Sequence, residues 1–421
     1  MGDNQWGELG DGTTNISNVP EEIVASNVIA AAVGEYHSLF IKSDGSLWAM
    51  GWDGLGQLGD NGPDDFYNYT TRPEMVVATN VTAIAAGLDF SLFIKSDGSL
   101  WGMGDGYEEQ LGPLPISSIS DPVQIVASNV TAIAAGYEHS LFIKTDGSLW
   151  AMGDDTYGEL GDGTNVFNYY YKSNTSPEEI VSNNVKSVAA GRGFSLFLKS
   201  DGSLWGMGWD NFGQLGDDAN TITSSPQTNL PEQIVASGVA AIAVGIDYSL
   251  LLKSDGSLWG MGDNYSGSLG DGTVETTPNV PIPSLLTNKV TAIASGNNQS
   301  LMIKSDGSLW AVGGDGYGQL GDGFSYEICF PATGLPEQIY PRPQPVMDSD
   351  LPSWSDLQIN ATCGFGGNYL LLTSTNLSLA PYLWTPIYNI VVTNRGPNNC
   401  FVTLTNELNL HSQGFYMLEA Q

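Results

Sequence analysis

Positive charge is the scarcest feature of this sequence. Thirteen lysines and arginines face 46 aspartates and glutamates, leaving a formal net charge of −33 over 421 residues. Proteins that hold nucleic acid neutralise phosphates with a basic footprint, and this chain has none to offer. The same shortage argues against docking on anionic membranes. No apolar run reaches the ~18 residues that a membrane span needs. Cys329, Cys363 and Cys400 allow one disulfide at most and leave an odd thiol. Histidine is limited to His37, His139 and His411, with no cysteine or further histidine at ligand spacing, so no metal centre is expected. No serine occupies a Gly-x-Ser-x-Gly elbow and no phosphate loop is present. The reading is therefore of a protein without catalytic residues, metal or cofactor.

Glycine, by contrast, is plentiful, at 52 residues against a usual share of ~7%. Apolar residues make up 41%, enough for a core. Charged residues are only 14%, against a usual ~25%. This composition favours an all-β protein with many tight turns.

Internal repeats decide the architecture. The heptad Lys-Ser/Thr-Asp-Gly-Ser-Leu-Trp starts at Lys42, Lys95, Lys144, Lys199, Lys253 and Lys304. Upstream lies Ala-Gly-x-x-x-Ser-Leu or a close variant, as in Gly136 to Leu141. Downstream comes a Leu-Gly pair, ending at Gly10, Gly59, Gly112, Gly161, Gly216, Gly270 and Gly321. Each unit reads as four short strands: A (such as Val130–Ala135), B (Ser140–Lys144), C (Ser148–Met152) and D (such as Glu232–Val235). Asp-Gly makes the tight B–C hairpin. A four-stranded antiparallel unit of this length, repeated, predicts a β-propeller.

Met1 to Gly12 aligns without a gap on Met152 to Gly163, so the chain starts inside a repeat. Ala361–Ser374 aligns on strands A and B. Glu21–Val24 would then complete a seventh blade and close the ring without an exposed edge. A second reading of this start stays open: Met1 coincides with the repeat's own methionine, as in a fragment of a longer chain. The expected organisation is a seven-bladed propeller over residues 1–377 and a small β module over 378–421.

The motifs resemble the regulator-of-chromosome-condensation repeat family. The matching residues are Ala135–Leu141, the Asp-Gly turns, and Gly208–Gly216. The resemblance implies a seven-bladed propeller. This chain departs from the family by placing Met-Gly (Met50, Met103, Met152, Met207, Met261) where Trp-Gly is usual. One branch of the family exchanges nucleotide on a small nuclear GTPase and another inhibits β-lactamases. The resemblance rests on scaffold residues, so neither activity carries over. Residues 378–421 resemble short β modules that end exported proteins of Verrucomicrobia-like bacteria. That implies a bacterial protein that is extracellular or at the cell surface.

Repeated positions read as structure. Trp48, Trp101, Trp150, Trp205, Trp259 and Trp310 share one position, and each could bury about 150–250 Å². At ~25 cal/mol/Å² that is an upper bound of roughly 4–6 kcal/mol each, a core role. The heptad lysines have Asp two residues on, which reads as a weak local pair in a solvated hairpin. Asp11, Asp162, Asp271 and Asp322 read as turn caps. Asp348, Asp350 and Asp356 cluster in an insertion and carry at most a weak cation site.

Function is sought where the copies differ. Strand parity sends the A–B turns and C–D loops to one face and the constant Asp-Gly hairpins to the other. The A–B turns vary: Tyr36-His37, Asp89, Glu138-His139, Arg192 and Asp247 occupy them. The C–D loops carry Phe66, Tyr67, Tyr69, Tyr169, Tyr170 and Tyr171, and tyrosine gives large contact area at small entropy cost. These are the candidate ligand-binding residues. The expected function is a non-enzymatic scaffold presenting this face to a protein or glycan, neutral or basic given the net charge. Two alternatives stand beside it: a structural module of a larger bacterial surface protein, and a hydrolase or lyase with a site in the channel.

Overall fold

The computed structural model describes residues 1–340 except 63–66, 114–117, 165–172, 217–226, 275–281, 284–288 and 324–335, together with the strands that follow residue 356. The chain divides into two units, Met1–Tyr340 and Pro341–Gln421. Phe66, Tyr169, Tyr170, Tyr171, Asp348, Asp350 and Asp356 lie outside the described residues.

The first unit is a propeller of four-stranded antiparallel blades, each in the order A-B-C-D. Blade one comprises Val28–Val33, His37–Lys42, Leu47–Trp52 and Tyr69–Val77. Strands A of the following blades begin at Val81, Val130, Val185, Val239 and Val290. Strand B does not show the in–out alternation of a half-buried strand. In blade two, Phe90, Leu92, Phe93 and Ile94 are all buried, because this strand is covered on both faces by neighbouring blades. The turns that lead into strand A hold Asn27, Asn80, Asn129 and Asn184 at positive φ, where asparagine is tolerated.

Among the described residues there are six blades, not the seven expected. Glu21–Val24 forms no strand. Ala361 and Asn368–Ser374, assigned by alignment to the missing blade, pair instead with C-terminal strands. Leu357–Ala361 pairs with Cys400–Leu404, and Asn368–Ser374 lies between Thr385–Val391 and Phe415–Ala420. Two half-repeats share no hairpin, so each segment pairs with whatever strand offers its edge.

Residues 1–27 bridge the last and first blades. Gly323 N donates to Asn18 O at 2.9 Å, and Gly12 N donates to Thr71 O at 2.8 Å. The sulfur of Met1 approaches Gly321 as that of Met50 approaches Gly10 and that of Met103 approaches Gly59. The bridge leaves strand A of blade one less covered than its counterparts: Val28 is 42% exposed, Val81 only 2%.

Candidate functional site: the loop face

The constant motifs join blade to blade. The strand-B serine is buried and its hydroxyl donates to the carbonyl of the residue before Leu-Gly in the preceding blade. Ser91 reaches Gln57 O at 2.8 Å, Ser140 reaches Gln110 O at 2.7 Å, and Ser249 reaches Gln214 O at 2.8 Å. Every C–D loop except that of blade two, where Gly106 holds the place, is also tied internally by an Asp or Asn that accepts from the amide of the leucine five residues on. Examples are Asp53 to Leu58, Asp155 to Leu160 and Asp210 to Leu215. The glycine of Met-Gly lets the A–B turn lie on strand C. At Gly153 (φ 111°) a Cβ would fall 2.5 Å from Glu138 O.

The opposite face is built alike in every blade. Asp97 Oδ1 accepts from Ser99 N and Oγ, and Trp101 Nε1 donates to Ser99 Oγ. Lys95 Nζ lies 3.7 Å from the centroid of the Trp101 ring, and the other five heptad lysines sit 3.4–4.3 Å over theirs. The tryptophans are half-buried under the lysine, and Trp48, Trp101, Trp150 and Trp205 also stack on a strand-B phenylalanine, as Trp101 does on Phe93. The heptad lysine therefore sits on tryptophan by cation–π attraction, and its charge helps to lower the hairpin aspartate, after the serine bonds.

Parity brings the A–B turns and C–D loops together around the axis. The A–B turns, with the N-terminal segment and the C–D loop of blade six, line a cavity of about 580 Å³ whose wall includes Asp3, Glu35, Tyr36, Tyr137, Arg192 and Tyr317. Tyr137 Oη donates to Glu35 Oε2 at 2.8 Å, joining blade three to blade one. Burial and that carboxylate raise the Tyr137 hydroxyl well above the usual phenol range. Arg192 lies 5.7 Å from the ring centroids of both Tyr137 and Trp209. Two aromatic clusters flank the cavity. Trp52 contacts Trp6 and Tyr36, and Trp6 contacts Tyr69; Trp209 contacts Tyr157 and Phe212.

Carboxylates crowd the rim without matching cations. Burial first, then the Asp105, Glu35 and Glu138 charges, push Asp89 up to about 7. Burial and Asp154 push Glu108 up to about 7. Glu138 is raised by burial, Asp154 and Asp105, against a lowering by Arg192. Asp247 is pushed up to about 6 by burial, although Arg192 opposes it. Among the described residues, no group of three or more His, Cys, Asp or Glu is arranged to hold a metal ion.

Residues 1–364 match the RCC1-like domain. The chain belongs to the RCC1-like domain family. It is 29% identical over 357 residues to human HERC4, a probable E3 ubiquitin-protein ligase, covering 78% of this chain and 32% of that one. It is 25% identical to the Arabidopsis thaliana ultraviolet-B receptor UVR8, covering 77% of this chain and 62% of the receptor. It is 32% identical to the mouse X-linked retinitis pigmentosa GTPase regulator, over 68% and 29% of the two chains. The RCC1-like chain thus spans less than two thirds of the length of these relatives. Among solved structures it is similar to Saccharomyces cerevisiae Prp20p, with a TM-score of 0.69, 20% identity, and 80% and 84% of the chains covered. Human WBSCR16 gives a TM-score of 0.68 at 22% identity, over 80% and 92% of the chains. At these identities the two structures speak for the fold.

Of the candidate binding residues, Tyr36 and Arg192 line the central cavity, and Asp89, Glu138 and Asp247 stand on its surrounding turns. Tyr67 and Tyr69 are exposed. His37 and His139 do not face the surface. Each is 1% exposed, and Nε2 meets Ser91 Oγ or Ser195 Oγ of the next blade at 2.9 Å. Those hydroxyls donate to backbone carbonyls, so Nε2–H must be the donor and Nδ1 is bare. Burial lowers both imidazoles to about 4, so they are neutral clasps between blades. Sequence reasoning missed Trp6, Trp52, Asp105, Glu108, Asp154 and Trp209. For Trp52, Asp105, Asp154 and Trp209 the signal was available: the residue six before each Leu-Gly leucine is Asp3, Trp52, Asp105, Asp154, Trp209, Asp263 and Gly314. That column differs between copies, though less than the A–B turns do: four are Asp, two Trp and one Gly.

Proposed function

We propose that this RCC1-like propeller is a non-enzymatic interaction scaffold whose loop face docks a neutral or basic protein. One observation carries the reading. The A–B turn positions that differ between repeats converge around one cavity and include Glu35, Tyr36 and Tyr137, with Asp89, Glu138 and Asp247 beside them, while the opposite hairpins repeat the same Asp, Ser, Trp and Lys. Tyr107 is 71% exposed and Tyr265 61% exposed on that face. Aromatic side chains beside uncompensated carboxylates suit a partner rich in cationic and flat groups. Solved structures of the same fold are described with protein partners: Prp20p with Gsp1p and histones, and yeast RCC1 with Kap60 bound. The C-terminal resemblance supports placing the scaffold at a cell surface.

The test is site-specific photocross-linking. A benzophenone side chain at Tyr107 or Tyr265 should capture a partner from the source organism. The same group at Ser96 or Ser200, on the hairpin face, should not. Capture from the hairpin positions alone would overturn the assignment of the face.

A further inference from the structure

Five carboxylates converge where blades two and three meet on the loop face. Asp89 and Glu138 stand on adjacent A–B turns, Asp105 and Asp154 end the two strands C, and Glu108 follows in the C–D loop of blade two. Backbone bonds hold turn to strand: Asp105 N donates to Asp89 O and Asp154 N to Glu138 O, both at 2.9 Å. Gln110 sits beneath this group, 1% exposed. Its Nε2 donates to Asp105 Oδ2 at 3.3 Å, and its Oε1 is buried without a partner. Asp89 Oδ1 is also buried and unpartnered. Both orphaned atoms are acceptors, and a buried acceptor left without a donor is costly.

The donors nearby do not answer this need. Gln57 Nε2, beside the Asp89 turn, is one uncharged group. Arg192 acts on Glu138 but is held over the rings of Tyr137 and Trp209. Glu35 and Glu109 add further negative charge. What complements the crevice is a cation with several N–H donors. A guanidinium supplies a flat fork that meets carboxylates two bonds at a time and stacks on aromatic faces such as that of Tyr107.

We propose that the crevice formed by Asp89, Asp105, Glu108, Gln110, Glu138 and Asp154 receives an arginine side chain of the docked protein. This rests on the loop face being the docking face and adds the chemistry of its anchor. Entry of a guanidinium stabilises the charged forms of Asp89 and Glu108, so binding near pH 7 releases protons.

The test uses the full chain and a synthetic hexa-arginine peptide, with hexa-lysine as comparison, by isothermal titration at low salt in buffers of different ionisation enthalpy. Two double variants lose equal charge: E108Q/E138Q in the crevice and E178Q/E179Q on an exposed outer strand. Expected are tighter binding of hexa-arginine than of hexa-lysine, and proton release at pH 7. Hexa-arginine should bind E108Q/E138Q roughly tenfold more weakly, with loss of the proton release, and E178Q/E179Q with little change. Equal weakening by both double variants would mean diffuse attraction to an acidic surface and would overturn the proposal. Equal affinity for hexa-lysine would overturn the choice of arginine. Stoichiometric Ca²⁺ binding that is lost in E108Q/E138Q would reassign the crevice to a metal. A partner still cross-linked at Tyr107, with hexa-arginine affinity unchanged in E108Q/E138Q, would sink the crevice and leave the docking face standing.

Discussion

The Tyr137 hydroxyl donates to Glu35 Oε2 at 2.8 Å, linking the A–B turns of blades three and one past blade two. No sequence neighbourhood produces that pair, which is separated by 102 residues. It is a strut across the mouth of the cavity, and Arg192 packs on its ring.

Breaking the strut should cost little stability on its own. Tyr137→Phe and Glu35→Ala are each expected to lower unfolding free energy by about 0.5–1.5 kcal/mol. Because both remove the same bond, the double variant should lose less than the sum of the two. Urea unfolding of the four proteins checks this. Strict additivity would mean that the bond contributes nothing.

Stability should fall as pH rises from about 5 to 8. Asp89 and Glu108 are pushed up to about 7, and Asp247 and Asp315 to about 6, so between the usual carboxylate range and pH 7 the folded state holds the extra protons. Their contribution is full below the ordinary carboxylate pKa and is lost as pH rises through the folded values. His37 and His139, lowered to about 4, act oppositely from pH 6.5 down to 4, but they are two against four. The hairpin aspartates, lowered by their serine partners, matter only below the usual aspartate range. A thermal midpoint higher at pH 5.5 than at pH 8, with a smaller difference in Asp89→Asn, is the expected result. A midpoint that climbs steadily to pH 8 would contradict it.

Trp101→Ala should destabilise by about 2–3 kcal/mol, less than the ~3–5 kcal/mol of a fully buried ring. Trp101 is half-buried, and the loss combines its stacking on Phe93, its bond to Ser99 and the cover of Lys95. Lys95→Met, which keeps the cover and removes the charge, should lose about 0.5–1 kcal/mol. Denaturant midpoints distinguish the two, and an unchanged midpoint for Trp101→Ala would refute the packing role.

Lys289 holds φ +65° at the position where four other turns have asparagine and one has Gly238. A lysine pays for the left-handed backbone without a local hydrogen bond in return. Lys289→Gly is expected to raise stability by about 0.5–1 kcal/mol, a gain partly offset by a more flexible unfolded chain. Thermal unfolding measures it, and a lowered midpoint would show that the lysine side chain has an offsetting role.

Repeat spacing, turn chemistry and strand parity were legible because they are local and recur. A Gly after Asp, a Ser before Leu and a Leu-Gly pair need the same folding chemistry in every copy, and repetition separates them from chance. The same comparison located the variable face, since a position freed from that chemistry differs between blades. It could not say which variable residues turn inward. His37 and Asp89 hold neighbouring places in their turns, yet one clasps Ser91 inside and the other stands at the rim.

What the sequence by itself determined was the unit: a four-stranded blade, its Asp-Gly hairpin and the side from which its loops leave. These follow from period-two alternation and tight-turn geometry, which act over a few residues. Only tertiary structure decided how many units form and which charges meet. Half-repeats at the two ends lack a shared hairpin, so pairing chose between distant edges, and Asn368–Ser374 went to C-terminal strands. The crevice at blades two and three likewise depends on the ring. Asp89, Asp105, Glu108, Glu138 and Asp154 lie on two different blades, up to 65 residues apart along the chain, and only the stacking of one blade on the next removes them together from water.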